Sequence, residues 1–322
     1  MIKELASVEF YGTIEHNEDI SAVVSFGNFL AIGSDESERK IQVLEKCHDS
    51  YHVRNDLTIE LTVLDKNEGQ EIDIEGMSIS NDHTLFVIGS HSLKRSKVKA
   101  EKTYQKNRDR FAKVISEERK NKIFKLTLDP QTGESQTTDG KETINLKQII
   151  KNDPILGRFT AIPSKENGID IEGIAADGNS LYIGFRGPVL RQNYVPVMVI
   201  EDYHHPEQYE LRFVNLQGNG IRDLTKVKDG FLIIAGAAGD ALNPYQLYFW
   251  DGVDTIPGND KPQQAQLNLL GEIPTLNDAK AEGIAVLSET NSTYKIMIVY
   301  DGLPNGAPKL LQITKPAIFN EQ

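Results

Sequence analysis

DIEGMSIS, residues 73–80, DIEGIAAD, residues 170–177, and AEGIAVLS, residues 281–288, open three short β-patterned segments with the same Glu-Gly pair. DISAVVSF at 19–26 and GIRDLTKV at 220–227 fit the same register with Ser21-Ala22 and Arg222-Asp223 in place of Glu-Gly. Shortly after each start, an apolar run closes on a small residue and then polar ones: AIGSDE (31–36), VIGSHS (87–92), YIGFRG (182–187), IAGAAGD (234–240) and MIVYDG (297–302). Five equivalent starts, at Ser21, Glu75, Glu172, Arg222 and Glu282, define a repeat. Within the third unit the sequence alternates as four strands, IEGIAA, LYIGFRG, VPVMVIED and YELRFVNL, punctuated by Gly, Asp, Asn and Pro. The fourth unit repeats this as LTKV, FLIIAG, YQLYFW and AQLNLL, and the first as AVVSF, FLAIGS, KIQVLE and DLTIEL. Four-stranded repeats of this length are the pattern of β-propeller blades, because one blade alone cannot bury both its faces.

The expectation is an all-β chain folded as a single five-bladed propeller over residues 1–322. A six-bladed ring is the alternative if residues 123–165 hide a degenerate blade. The fifth unit stops before its outer strand, so ASVEFYGTI, residues 6–14 within the N-terminal 1–14 segment, is expected to close the ring against it. Between the second and third starts the spacing widens, and residues 93–122 contain no Gly or Pro. That stretch is read as a helical insertion, with Tyr104, Phe111, Val114 and Ile115 on one face. It carries twelve lysines and arginines against four acidic residues, so the rest of the chain is near −20. The insertion reads either as a solvated helix or as a basic lid.

Composition narrows the function classes. A net charge of −12 argues against a general nucleic-acid surface. The lone Cys47 permits neither an intrachain disulfide nor a cysteine zinc cluster. No window approaches a membrane span, and the start shows no leader pattern, which points to a cytoplasmic protein.

In an antiparallel meander, the start of a blade's first strand and the end of its second lie at one edge of the sheet. Glu75, Glu172, Arg222 and Glu282 should therefore ring one mouth of the channel. Behind them should come Asp35, Glu36, His91, Ser92, Arg186, Asp223, Asp240 and Asp301. Crowded carboxylates must take up protons, pair with Arg186 and Arg222, or bind a cation, for which calcium or magnesium suits oxygen ligands. In one scheme Glu75, Glu172 and Glu282 hold the metal and His91 or Asp223 activates water. Arg186 and Arg222 then hold a substrate anion, and Asp35, Glu36, Ser92, Asp240 and Asp301 complete the ligand site. In the other the glutamates accept structural bonds from neighbouring blades, and the propeller is a platform for a protein partner. No GxSxG, HExxH or glycine-rich phosphate loop is present.

The succession GSDES (33–37), IEGMS with GSHS (89–92), IEGIA with GFRGPVLR (184–191), GIRDL (220–224), and AEGIAV with VYDG (299–302) resembles the propellers called domain of unknown function 3616. The resemblance covers nearly the whole chain and implies a β-propeller. More distantly, the Glu-Gly starts are similar to those of calcium-dependent lactonase, phosphotriesterase and phytase-like esterase propellers. That similarity implies a glutamate at the channel mouth, at Glu75, Glu172 or Glu282, and with it ester or phosphoester hydrolysis of a small anionic or hydroxylated molecule. The Asn and Asp ligands of those metal sites have no counterpart that can be placed in this sequence.

Overall fold

The structure is a computed structural model and describes residues 2–37, 39–61, 72–136, 143–241, 243–258 and 265–316. Its β-strands form five antiparallel blades. Blade 1 is built on Ile20–Phe26, Phe29–Ser34, Lys40–Cys47 and Ser50–Val53. Its outer strand comes in two pieces, since Ile59–Glu60 pairs with the start of Lys40–Cys47 and Ser50–Val53 with its end. Blade 2 runs Ile74–Ile79, Thr84–Gly89, Ile123–Thr127 and Thr143–Ile144. Blade 3 follows as Asp170–Asp177, Ser180–Gly187, Tyr194–Ile200 and Tyr209–Asn215. Blade 4 is Asn219–Val227, Gly230–Ala237, Gln246–Trp250 and Leu267–Glu272. Blade 5 is Lys280–Glu289, Thr293–Asp301 and Lys309–Thr314, completed by the N-terminal Ile2–Ser7.

The first strands touch in a closed cycle from blade 1 through blade 5 and back to blade 1. Five apolar clusters sit one in each gap between neighbouring blades. This is why each strand is buried on both faces near the axis: Phe29–Ser34 and Gly230–Ala237 are buried at every position. The sixth-blade alternative does not occur. After the last two strands of blade 2, the chain turns into a short helix, Lys147–Asn152, and Leu146, Ile150, Leu156 and Ile169 fill the gap between blades 2 and 3.

The N-terminal segment closes the ring, but with Ile2–Ser7 rather than with residues 6–14. Ile2–Ser7 pairs antiparallel with Lys309–Thr314, whereas Glu9–Tyr11 lies parallel on Ser50–Val53 at the outside of blade 1. The N-terminus thus spans two blades, with Val8 and Phe10 buried between blades 5 and 1.

The insertion is also corrected. Only Tyr104–Ala112 is α-helical, capped by Thr103, with a single 3-10 turn at Glu118–Lys120. It hangs on a two-stranded ribbon, Leu93–Arg95 with Val114–Ser116. The like charges of Lys94, Arg95, Lys97 and Lys99 oppose a continuous helix. The expected apolar face is outside: Tyr104 is 75% exposed and Phe111 56%. The helix buries no residue of its own.

Candidate functional site

The five repeat positions share one backbone irregularity. In each first strand the pairing skips a residue, between Ile20 and Ala22, Ile74 and Gly76, Ile171 and Gly173, Ile221 and Asp223, and Ala281 and Gly283. The skipped residues are Ser21, Glu75, Glu172, Arg222 and Glu282. A bulged residue is released from the ladder and re-aims its side chain. The glycine that follows meets the next blade. A Cβ on Gly173 would sit 3.0 Å from the Leu224 Cβ, and one on Gly76 3.2 Å from the Glu172 carbonyl oxygen. Glu-Gly is therefore a bulge followed by a close approach between blades. In blade 3 the second strand skips a residue as well, Arg186, beside Glu172.

These bulged side chains meet in a chain of ion pairs across blades 3, 4 and 5. Arg186 contacts Asp170 and, at 2.5 Å, Glu172. Arg222 Nε lies 2.9 Å from the other Glu172 oxygen, and its terminal nitrogen contacts Glu282. Lys280 contacts Asp301 and lies 3.9 Å from Glu282. The blade 1 position, Ser21, instead donates to the Ile74 carbonyl at 2.5 Å.

Blades 1 and 2 carry the excess of carboxylates. Burial and the nearby Asp73, Glu172, Asp35 and Asp170 push Glu75 well above the usual range. Burial, with Asp301 and Asp73, pushes Asp35 up to about 7. Burial also pushes Asp170 up to about 7, against the opposing charge of Arg186. Asp73 pairs with the buried Lys120 at 2.9 Å.

Two adjoining recesses open over this chain, sharing Lys165, Arg186, Asp240 and Lys280. The first, about 320 Å³, lies over blades 4 and 5, with Arg222, Tyr245, Asn243, Thr275 and Asn277 in its wall. The second, about 300 Å³, holds Asp35, Asp73, Glu75, Glu172 and Glu282 and is flanked by Lys97 and Phe111 of the insertion.

A family model described as "Protein of unknown function (DUF3616)" matches residues 19–308. The chain belongs to the DUF3616 family. Among curated proteins no match is found. Among solved structures, this DUF3616 chain is similar to a hypothetical protein from Leishmania major, at 9% identity and a TM-score of 0.46 over 97% of this chain and 90% of that one. It is also similar to an exo-β-1,3-galactanase from Phanerochaete chrysosporium, at 10% identity and TM-score 0.46 over 97% and 63%. A third is the Nup133 β-propeller domain of Vanderwaltozyma polyspora, at 8% identity and TM-score 0.42 over 93% and 72%.

The remaining expected residues of the DUF3616 site separate into two groups. Asp35, Glu36, Ser92 and Asp240 line the second recess, and Asp301 reaches it only through Lys280. His91 and Asp223 line neither recess. His91 is buried with a left-handed backbone, its Nδ1 at 2.8 Å from the Gly89 carbonyl, and burial lowers its pKa to about 4. Asp223 occupies the place of the Glu-Gly glycine and works as a strut. Its carboxylate accepts from the Leu224 N–H at 2.7 Å and from Ile284 N–H in blade 5 at 2.8 Å.

The expected calcium or magnesium fits this donor set poorly. Guanidinium groups already stand against Glu172 and Glu282, and among the described residues no group of three or more His, Cys, Asp or Glu could hold a metal. A hard cation needs several oxygens facing one point. No helix of the described residues is long and apolar enough to cross a membrane.

Several site residues escaped the sequence reading. Asp73, Asp170 and Lys280 each lie two places before a bulged glutamate, and side chains two apart share a strand face. The Asp of both DIEG segments was thus a readable signal. Lys165 and Tyr245 lie outside the repeat positions, and nothing in the pattern marks them.

Proposed function

We propose that this DUF3616 protein binds a small hydroxylated anion in the recess over blades 4 and 5. The observation that carries the reading is the crowding of positive charge there. Lys165, Arg186, Arg222 and Lys280 all line the recess; Arg186, Arg222 and Lys280 are paired to Asp170, Glu172, Glu282 and Asp301, and Lys165 has beside it, among the described residues, the exposed Asp240. Burial, then Arg186 and Lys280, lower the Lys165 pKa. An anion placed here gains charge-assisted hydrogen bonds and counters the charge of Lys165. Arg186 supports the reading further, because its buried Nε has no hydrogen-bond partner among the described residues. Asn243, Asn277, Thr275 and Tyr245 offer donors and acceptors to hydroxyl groups in the same wall.

The test is thermal unfolding and calorimetric titration at low ionic strength with inorganic phosphate, gluconate and citrate. A ligand of the folded state raises the melting temperature with its concentration. Saturable stabilisation by at least one of these anions, weakened by Lys165→Gln and by added salt, is the expected result. Stabilisation that is absent, or equal in the variant, rejects the reading.

A second reading, a protein-docking platform, is favoured by the insertion. Val98, Tyr104, Phe111 and Val114 are exposed on a segment dense in lysine and arginine. Its test is a pull-down with the intact chain and with the insertion shortened. Equal capture by both rejects it.

A further inference from the structure

We infer that Lys165 is a reactive amine that captures the carbonyl group of a 2-oxo acid as an imine. The inference rests on the anion-binding reading above and assigns the ligand's chemical class. Of the two lysines common to both recesses, Lys280 is held against Asp301. Among the described residues Lys165 has only Asp240 as an ion-pair partner, at 3.4 Å, and that carboxylate is 83% exposed. An amine beside other cations and partly shielded from water keeps a larger neutral fraction, and the neutral amine is the nucleophile. The direction of the Lys165 pKa agrees.

The loop that carries Lys165 is tied down on both sides. Asn167 adopts a left-handed conformation, and its side-chain amide bonds both the N–H and the carbonyl of Val189, at 2.7 and 3.2 Å. A Cβ on Gly168 would come within 1.8 Å of the Ile162 carbonyl oxygen, so only glycine allows this turn. Arg95 of the insertion grips the Glu166 carboxylate, with one contact at 2.9 Å. A nucleophile needs such a fixed support.

The chemistry balances without a cofactor. With the carboxylate of the 2-oxo acid against Arg186, the neutral Lys165 Nζ attacks the ketone carbon, forming a C–N bond as the C=O π pair moves to oxygen. Proton transfer from nitrogen to that oxygen gives a carbinolamine, which loses water to leave C=N. Capture is reversible until the imine is reduced.

The experiment uses the full chain with pyruvate and, separately, 2-oxoglutarate, each with cyanoborohydride, followed by peptide mass mapping. Expected is a reduced adduct concentrated at Lys165, formed faster there than at exposed lysines such as Lys99 or Lys102 and slowed by phosphate. Lys165→Arg keeps the positive charge but has no nucleophilic amine, and should abolish the adduct. Adducts spread over the surface lysines, or none at Lys165 with either acid while anions still bind, overturn the inference and leave the binding reading standing. Loss of anion binding in the unmodified chain overturns both.

Discussion

Replacing Arg222 by methionine should cost stability at neutral pH and much less in mild acid. Arg222 is 3% exposed and stands between Glu172 and Glu282, which belong to different blades. Methionine keeps the aliphatic stem and removes the charge, so the packing loss is small. Glu172 retains Arg186 at 2.5 Å, but Glu282 is left with Lys280 at 3.9 Å, which is itself held by Asp301. The cheapest response is for one buried carboxylate to take a proton. With an unfolded value of about 4.3 and about 1.36 kcal/mol per pH unit, this costs about 4 kcal/mol at pH 7 and about 1 kcal/mol at pH 5. The pH 7 figure agrees with the roughly 3–5 kcal/mol known for removing one partner of a buried pair. An unfolding entropy of about 2.1 cal/mol/K per residue converts it to a fall in Tm of about 5–6 °C at pH 7 and about 1–2 °C at pH 5. In the variant the folded-state carboxyl is raised, so its contribution is fully present below the unfolded value and is lost as pH rises. Calorimetric melting of both proteins at the two pH values is the assay. An equal Tm gap at pH 5 and pH 7, or none at either, refutes the ion-pair chain as described.

Asp35, raised to about 7 from 3.8, adds stability below the lower value that is lost as pH rises through the upper one. Asp35→Asn should therefore stabilise the protein at pH 8 and change little at pH 4, read from Tm across that range. Asp223→Ala leaves the Ile284 and Leu224 N–H groups without their acceptor. Urea unfolding should show a loss of about 1–3 kcal/mol per unpaired buried donor, and an unchanged midpoint would deny the strut. Deleting residues 1–7 uncovers the edge of Lys309–Thr314 and should lower the melting temperature of the whole domain, whereas a short turn in place of residues 97–113 should leave it within about 2 °C. Added calcium or a chelator should leave the melting curve in place. A rise with calcium would restore a metal to the mouth.

The ring was legible because each blade start repeats two physical demands, a residue freed from the ladder and a small one beneath the next blade. The sequence shows both as Glu-Gly in three blades, and the substitutes explain themselves in the other two. Ala22 is nearly as small, and Asp223 turns the same proximity into hydrogen bonds. The closing strand was misplaced because its charges mask the alternation of IKELAS, while VEFY next to it alternates more visibly. The insertion was over-read because a lack of Gly and Pro permits a helix without requiring one. Residue type and position at the strand edges suggest chemical roles for His91 and Asp223, but backbone bonds to Gly89, Leu224 and Ile284 claim them first. Repetition does not reach Lys165, since it sits in the turn Ser164–Glu166, between the last strand of blade 2 and the first of blade 3 and outside the repeated strands.

The bulges separate two jobs that a strand normally combines. Every paired residue in a first strand must satisfy the ladder and the packing of two neighbouring blades, so its replacement is felt through the sheet. The skipped residue answers to neither, and its side chain faces the residues skipped in the other blades. Around the axis the chain thus spells Ser, Glu, Glu, Arg, Glu in five places that can be rewritten one at a time. At Glu172, Arg222 and Glu282 it is charge that ties one position to the next, so the permissible rewritings there are those that keep the cation between two anions. A ring with Glu172 and Arg222 exchanged preserves that alternation between their own pair and breaks it at both ends, against Arg186 and Glu282. Across blades 3 to 5 the mouth is in this sense a short electrostatic word whose grammar is neutrality between neighbours, and at Glu75, beside Glu172, that rule gives way to burial of like charges.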